Sequence, residues 1–328
     1  MDGGWSQAPI APSARLHPPS GFKMNYKIYE NGKEVKGELP FDLMRTEAVG
    51  IFESMRAYGG RILHEEEHLA RLLESAKTVG YGPHSLFKNT KVKGISPGNL
   101  RGELRAALKA FGPKECYVRL TLWEGHVFVI VGIREHPQEI YETGVALKTA
   151  SFPRGGPNTF PWQAKASAYQ QAILASTEPH PDKIYDWVFL NQENFLTETR
   201  IGNFFIVKHP CKHRVFAKTN TGCLKKGEAE LLTPPEHLIL NGVTRRFVIK
   251  CALKLGITVR ETPLTRHEFF NADEAFLCNT SWEILPVREL DGRAIGTGKP
   301  GPITLKLHRF FKRRVQQDVT SHRSPRTD

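Results

Sequence analysis

Two charged residues that lie among apolar neighbours, Lys165 and Glu198, are the first candidates for chemistry in this sequence. Lys165 precedes apolar residues at helical spacing, which predicts that it opens a helix with a buried inner face. Glu198 and Asn203 lie between two apolar runs, 187–190 and 204–207, which predict a pair of strands. A buried lysine amine loses its charge more readily and then acts as a nucleophile. From these patterns alone, a structural role for both residues stays open.

The segments that contain these residues resemble one family of enzymes. Residues 153–165 of this chain, PRGGPNTFPWQAK, resemble the segment that precedes the catalytic lysine in branched-chain aminotransferases. Residues 190–204, LNQENFLTETRIGNF, are similar to the signature of fold-type IV pyridoxal-phosphate (PLP) enzymes. That group contains branched-chain aminotransferases, D-amino-acid aminotransferases and aminodeoxychorismate lyases. The resemblance extends from about Tyr26 to Phe311.

The resemblance implies both a fold class and a reaction. The fold would be α/β (α+β), with a small N-terminal α/β domain and a larger C-terminal domain that has a mixed-sheet, barrel-like core. The reaction would be transamination of a branched-chain or related L-amino acid with a 2-oxo acid such as 2-oxoglutarate, through a Schiff base between PLP and Lys165. A D-amino-acid aminotransferase and a 4-amino-4-deoxychorismate lyase remain alternatives. The family also implies a homodimer, and the apolar hairpin at 50–63 is expected to help pack it.

Matching positions assign roles to individual residues. In the family, a histidine three residues before an arginine marks the arginine that contacts the cofactor phosphate, and this arginine falls on Arg71. Glu198 matches the carboxylate that keeps the pyridine nitrogen protonated. A glycine and a threonine at a helix start suit phosphate binding, because free N–H groups and the helix dipole meet there. The remaining cofactor-binding positions implied by the resemblance are Gly242, Val243, Thr244, Thr280 and Tyr169.

The substrate pocket departs from the branched-chain pattern. Glu47 stands where branched-chain enzymes have a tyrosine. Tyr169 lies four residues after Lys165, whereas branched-chain enzymes have a tyrosine five residues after the catalytic lysine. The approach 157–161 favours a branched-chain substrate, whereas the register after Lys165 is closer to the D-amino-acid aminotransferases and lyases. The candidate substrate-binding residues are Glu47, Arg119 and Ser281.

The order of elements predicts two domains with extensions at both ends. Residues 1–23 lack an apolar core segment and are expected to be disordered, with Met24 as an alternative start. The small domain is predicted at 24–123 and the PLP-binding domain at 127–315, joined by a short linker at 124–126. A basic tail is expected at 316–328. The turn-rich, basic stretch 209–235 is interpreted as an insertion at a hairpin tip.

Local patterns predict the remaining elements. Helices are expected at 64–77, at 97–111, at 265–270 and from 301 onward, and another is expected to open within 238–245 and to end at about 255. Strands are expected at 26–34 with a turn at 31–32, in a glycine hairpin at 50–63, and at 116–122, 127–132, 257–260 and 274–278.

Composition narrows the class of protein. The net charge is +12, but much of the excess lies in two basic stretches without interleaved aromatic residues, so we predict no nucleic-acid partner. No apolar run is long enough to span a bilayer, which predicts no membrane partner. Five cysteines without paired spacing favour a reducing, cytoplasmic location. Neither Cys211, His213 and Cys223 nor the pair His64 and His68 completes a familiar metal-ligand pattern, so we predict no metal.

Overall fold

The computed structural model of the protein describes residues 25–30, 33–35, 50–81, 96–123, 126–155, 161–167, 174–175, 177–178, 184–209 and 229–321. Several sequence predictions lie outside these residues. They are the N-terminal extension 1–23, the turn at 31–32, Glu47, the linker residues 124–125, Tyr169 and most of the basic stretch, 210–228.

The first sheet carries two helices on one face. Its elements are β1 (Asn25–Glu30), β2 (Lys33–Glu34), β3 (Ile51–Tyr58), β4 (Arg61–Ile62), α1 (Glu65–Thr78), α2 (Pro97–Phe111), β5 (Cys116–Trp123) and β6 (His126–Ile133). The strands are all antiparallel, in the order β2-β1-β6-β5-β3-β4. Gly59 and Gly60 have positive φ between β3 and β4, as a tight hairpin turn requires.

Alternation along β3 and β5 divides this sheet into two faces. In both strands, buried residues alternate with more accessible ones, as expected when one face lies on a core. Ile51, Met55, Val118 and Leu120 pack in one cluster with the leucines of α1 and α2. The opposite face of β3 and β5 is therefore left for other contacts, and the cavity described below lies against it.

Strand β6 corrects the predicted domain boundary. The sequence prediction that the second domain begins at Val127 is wrong, because β6 pairs with both β5 and β1 in the first sheet. Only residues 124 and 125 separate the paired Trp123 and His126. The apolar continuity of 127–132 correctly indicated a buried strand, but burial does not specify which sheet a strand joins.

Among the residues that the structure describes, the second sheet has nine strands, and it curves back on itself. Its strands are β7 (Val145–Thr149), β8 (Ile184–Leu190), β9 (Leu196–Thr199), β10 (Asn203–Lys208), β11 (Glu230–Thr233), β12 (Thr258–Glu261), β13 (Glu274–Asn279), β14 (Glu283–Leu290) and β15 (Arg293–Ala294). The order is β12-β11-β10-β13-β14-β7-β8-β9, with β15 on β14, and parallel and antiparallel pairs are mixed. Leu196 of β9 bridges to Leu264, shortly after β12, so the two ends of the sheet approach each other. This agrees with the predicted mixed-sheet, barrel-like core.

Both faces of the second sheet are covered, which explains its continuous apolar strands. Helices α3 (Glu139–Thr143), α4 (Val243–Lys254), α5 (Arg266–Phe270) and α6 (Pro302–Ser321) belong to this part of the chain. Along β10, Phe204 and Ile206 join one core cluster, whereas Phe205 and Val207 join another with α4 and α6. None of the helices in the described part of the chain is long and apolar enough to cross a membrane.

Three further sequence predictions need correction. The runs 187–190 and 204–207 are both strands, but β8 pairs with β9, and β10 pairs with β11 and β13. The stretch 209–235 includes strand β11, so its last part is regular structure. The predicted tail at 316–328 begins inside α6, which continues to Ser321.

Candidate active site

A cavity of about 330 Å³ brings together nine of the residues that the sequence marks as candidates. Its walls come from the accessible face of β3 and β5, the segment around Lys165, the β9–β10 turn, the start of α4 and the end of β13. The candidates that line it are Arg71, Arg119, Lys165, Glu198, Gly242, Val243, Thr244, Thr280 and Ser281. Thus positions far apart in sequence share one cavity.

Lys165 is held by the first sheet: it is not itself helical, and the neighbouring Ala166 forms an antiparallel bridge with Ile51. Most of the helical run predicted after Lys165, including 168–173, lies outside the described residues. The amide of Phe52 donates to the Lys165 carbonyl (3.0 Å), and the Lys165 amide donates to the Ser75 hydroxyl of α1 (3.0 Å). Its side-chain Nζ lies 4.9 Å from the centroid of the Phe52 ring. These contacts fix the lysine at the cavity wall.

The surroundings of Lys165 favour its neutral form. Burial lowers the pKa of its amine from 10.5 to about 8, and the positive charges of Arg71 and Arg119 act in the same direction. The carboxylates of Glu53 and Glu198 oppose them but do not cancel the effect. A larger fraction of the amine is therefore unprotonated near neutral pH, which is the form that attacks carbonyl carbon.

Glu198 presents a carboxylate to the cavity from strand β9. Its Oε2 accepts hydrogen bonds from Asn203 Nδ2 (2.9 Å) and the Leu240 amide (3.1 Å). Asn203 also donates to the Leu240 carbonyl, so the two residues are tied to each other as well. The other carboxylate oxygen of Glu198, Oε1, lies 2.5 Å from Arg154 Nη1 in an ion pair. The carboxylate is thus oriented on both sides.

Arg154 contacts the candidate site through Glu198, and the sequence reasoning did not identify it. It is only 5% exposed, and its guanidinium lies 4.5 Å from the centroid of the Trp162 ring. Its position in the sequence Pro-Arg-Gly-Gly belongs to no apolar period, so no local pattern indicates that it is buried. Arg154 lies within residues 153–165, so only their resemblance to the lysine approach could have drawn attention to it.

The start of helix α4 meets the cavity without a capping side chain. Gly242 is its N-cap, so no side chain occupies the first amide groups of the helix. A Cβ on Gly242 would lie 2.2 Å from Asn203 Oδ1, so a larger residue there would displace the Asn203 side chain. The Thr244 and Thr280 hydroxyls lie 3.3 Å apart across the same space. Free amides, the positive helix end and two hydroxyls together suit an anion.

A family model decides the class of protein. The model described as "Amino-transferase class IV" matches residues 50–290, which is more than half of the chain. The chain belongs to the class IV aminotransferases. The family predicted from residues 153–165 and 190–204 is thereby confirmed.

Individual relatives of this aminotransferase are similar along most of their length. The branched-chain-amino-acid aminotransferase of Pseudomonas aeruginosa is 28% identical over 290 residues, which cover 85% of this chain and 88% of that protein. The solved branched-chain amino acid aminotransferase from Escherichia coli has a TM-score of 0.68 at 26% identity, covering 88% of this chain and 92% of that one. A further branched-chain amino acid aminotransferase, solved in complex with N-(5′-phosphopyridoxyl)-L-glutamate, has a TM-score of 0.68 at 25% identity, covering 91% of this chain and 95% of that one.

In this aminotransferase, Arg71 reaches the cavity from a buried ionic cluster. Arg71 Nε and Nη2 donate to the two oxygens of Glu53 (2.7 and 2.8 Å), and Nη1 donates to the Asn241 carbonyl (2.9 Å). His68 Nδ1 lies 2.7 Å from Glu53 Oε2. Burial alone would raise the pKa of Glu53, but Arg71 and His68 outweigh it and lower the pKa from 4.5 to about 2. The cluster therefore orients Arg71 and joins α1 to the residue before Gly242.

We expect Glu53→Gln to lower the free energy of unfolding by about 3–5 kcal/mol, because Arg71 would keep a buried charge without a carboxylate partner. The folded-state pKa of Glu53, about 2, lies below its ordinary 4.5. Its stabilisation is thus complete above the ordinary value and is lost as the pH falls to about 2. Urea denaturation of wild type and variant should show the difference shrinking over that window. Glu74→Gln, on the exposed side of α1, is the control, and an equal loss there would contradict the prediction.

The substrate candidates lie on the side of the cavity formed by β5 and the end of β13. The Arg119 guanidinium stacks on the Phe52 ring, 3.8 Å from its centroid, and pairs with no described carboxylate. The Ser281 carbonyl accepts from Arg56 Nη1 (2.9 Å), and its hydroxyl lies 2.9 Å from His136 Nε2. Ser281 is therefore fixed by the first sheet and by the segment after β6.

Proposed function

We propose that this aminotransferase uses PLP, bound through Lys165, to transfer an amino group between a branched-chain or related L-amino acid and a 2-oxo acid such as 2-oxoglutarate. The observation that carries the proposal is the pairing, in one cavity, of a lysine amine of lowered pKa with the oriented carboxylate of Glu198. The similar proteins from Pseudomonas aeruginosa and Escherichia coli are branched-chain aminotransferases, which supports the substrate class. The phosphopyridoxyl-L-glutamate complex of the third relative supports an L-amino acid and the 2-oxoglutarate pair.

The residues around the cavity fit such a cofactor at both of its polar ends. PLP has a phosphate, which needs an anion-binding site, and a pyridine nitrogen, which needs a carboxylate partner. For the phosphate, the start of α4 is free of side chains, because a Cβ on Gly242 would come too close to Asn203. For the pyridine nitrogen, Glu198 supplies the carboxylate.

Each residue then has a role that follows from its chemistry. The phosphate would be held by Arg71, the amides of Val243 and Thr244, and the Thr244 and Thr280 hydroxyls. Glu198, oriented by Asn203 and Arg154, would keep a proton at the ring nitrogen.

When bound, PLP supplies an aldehyde for the amine and a ring that withdraws electrons from the substrate α-carbon. Lys165 would provide the amine that holds this aldehyde. With the cofactor bound, the neutral Lys165 amine would be able to accept the proton of the substrate α-carbon. Arg71 and Arg119 favour that neutral form by lowering the lysine pKa.

Assembly and location are part of the same proposal. We propose a cytoplasmic homodimer, as the family resemblance implies. The apolar hairpin at 50–63 does not support the dimer as expected, because Ile51, Met55, Ala57 and Ile62 are buried in the core of their own chain. The free, buried thiols of Cys116, Cys251 and Cys278 agree with a reducing location.

The proposal predicts that the purified protein binds PLP through Lys165. We expect a yellow protein whose visible band disappears on borohydride reduction, with the reduced label mapped by mass spectrometry to the peptide that contains Lys165. L-Leucine, L-isoleucine or L-valine should convert the bound cofactor, and D-alanine should not. A label on another lysine, or conversion by D-alanine alone, would contradict the proposal.

A further inference from the structure

The turn between β13 and β14 presents Thr280 to the cavity described above, and its backbone is strained. Glu283, at which β14 begins, has a φ of 63°, in the left-handed region that glycine adopts freely and other residues seldom adopt. Asn279 restrains the first part of the turn, because its Oδ1 accepts hydrogen bonds from the amides of Ser281 (2.8 Å) and Trp282 (2.9 Å). A left-handed residue other than glycine persists only where its surroundings hold it, so the second part of the turn needs a restraint at Glu283.

The buried side chain of Glu283 supplies this restraint. The residue is 7% exposed, and it does not line the cavity around Lys165. Its Oε1 accepts a hydrogen bond from the Tyr58 hydroxyl (2.9 Å) and lies 3.7 Å from Arg56 Nη1, and both partners belong to β3. Its Oε2 lies 3.2 Å from His308 Nε2 of α6. One carboxylate at the start of β14 is therefore tied to the first sheet and to the last helix.

The charge of Glu283 strengthens these contacts. Burial alone would raise the pKa of its carboxyl group, but the hydrogen bond with His308 and the charge of Arg56 outweigh it and lower the pKa below 4.5. The group is thus ionised near neutral pH, and hydrogen bonds to an ionised acceptor are stronger than neutral ones. Arg56 Nη1 also donates to the Ser281 carbonyl (2.9 Å). The same guanidinium therefore contacts both the carboxylate and the turn that the carboxylate restrains.

The position of this turn matters for the anion site at the start of α4. The Thr280 hydroxyl lies 3.3 Å from the Thr244 hydroxyl, on the opposite side of the space that would hold a phosphate. A polar contact of this kind requires placement to within about 0.5 Å. If Glu283 moved to a more favourable φ, the path of the turn would change and Thr280 would move away from α4.

We propose that Glu283 is a positioning residue for the cofactor phosphate: it holds the β13–β14 turn in its left-handed conformation and thereby places Thr280 opposite the start of α4. This inference rests on the proposed function, since it assumes that the phosphate of PLP binds between Thr280 and α4. Because Glu283 does not line the cavity, its effect is confined to the phosphate end of the cofactor. Loss of Glu283 should therefore weaken recognition of the phosphate and leave the aldehyde and ring contacts intact.

The test compares the affinity of the full-length apoprotein for PLP with its affinity for pyridoxal, which has the same aldehyde and ring but no phosphate. Absorbance titration gives both dissociation constants, and their ratio measures the preference for the phosphate. For Glu283→Ala, we expect this preference to fall about 10- to 100-fold, as for loss of one hydrogen bond to a charged group. The affinity for pyridoxal should stay near that of wild type, a result that a general loss of structure would not give.

Two further variants separate the backbone from the charge. Glycine adopts a positive φ freely, so Glu283→Gly can keep the path of the turn without the carboxylate, and it should recover part of the preference lost in Glu283→Ala. Tyr58→Phe keeps the aromatic ring and removes one hydrogen bond to the carboxylate, so its loss of preference should be smaller than that of Glu283→Ala. A glycine variant with no more preference than the alanine variant would overturn the inference.

Asp291→Ala is the matched control. Asp291 is another acidic residue with a positive φ (51°), it accepts hydrogen bonds from the amide and the hydroxyl of Thr149, and it does not line the cavity. This substitution should lower the free energy of unfolding and leave the preference for PLP unchanged. An unchanged preference in Glu283→Ala, or an equal loss in Asp291→Ala, would overturn the inference and leave the proposed function standing. Wild type that binds pyridoxal as tightly as PLP would overturn the proposed phosphate site, and the inference with it.

Discussion

Lys165→Ala is expected to abolish transamination, with turnover falling by at least about 10²- to 10⁴-fold, the contribution of one positioned acid–base group. The loss should be at the upper end of that range, because the same amine is also proposed to bond the cofactor. Steady-state transamination of L-leucine with 2-oxoglutarate measures it. Lys306→Ala, which removes an exposed lysine of α6, should leave turnover unchanged. Turnover of Lys165→Ala near the wild-type value would show that another group performs both tasks.

The free energy of unfolding gives a second measurement on the same residue, without cofactor. Folding lowers the pKa of Lys165 from 10.5 to about 8, so between these values the unfolded chain binds a proton that the folded chain does not. The stability of the apoprotein should therefore rise with pH across that window, and below it the buried ammonium should be destabilising. Lys165→Met should remove this pH dependence and be more stable than wild type at neutral pH. An unchanged pH profile would contradict the lowered pKa.

Local periodicity was sufficient for elements whose burial pattern is complete within one segment. Helix α2 is an example, because Ser96 caps it, Pro97 starts it and its leucines recur on one face. The β3–β4 hairpin is another, because its glycine turn requires positive φ. In these elements, the local sequence and the tertiary contacts favour the same structure.

Prediction failed where a contact from elsewhere in the chain decides the local structure. Lys165 precedes a helical pattern, yet the neighbouring Ala166 bridges to Ile51, more than a hundred residues away. Strand β6 has the apolar continuity of a second-domain strand, but its partners β1 and β5 place it in the first sheet. Hydrophobic patterns report how much of a segment is buried, and not against what.

The candidate site likewise contains residues that the sequence predicted and residues that only the structure identifies. Arg71, Glu198, Gly242 and Thr280 come from separate segments that the family resemblance marks, and the fold places them around one cavity. Arg154 lies inside the segment 153–165 that carries the resemblance, but its ion pair with Glu198 becomes visible only when the two segments are brought together in space.

Glu198→Gln tests the carboxylate that is proposed to pair with the pyridine nitrogen of the cofactor. We expect turnover to fall about 10²- to 10³-fold, as for loss of one preorganised electrostatic partner. A neutral amide cannot keep a proton at the ring nitrogen, so the cofactor should stay bound but withdraw electrons poorly. The substitution also leaves Arg154, 5% exposed, without its anion, which should lower the free energy of unfolding. Adding Arg154→Met removes that unpaired charge, and the double variant should regain stability in urea but not turnover. If turnover returned together with stability, Glu198 would be a structural partner of Arg154 and not the residue that controls the ring nitrogen.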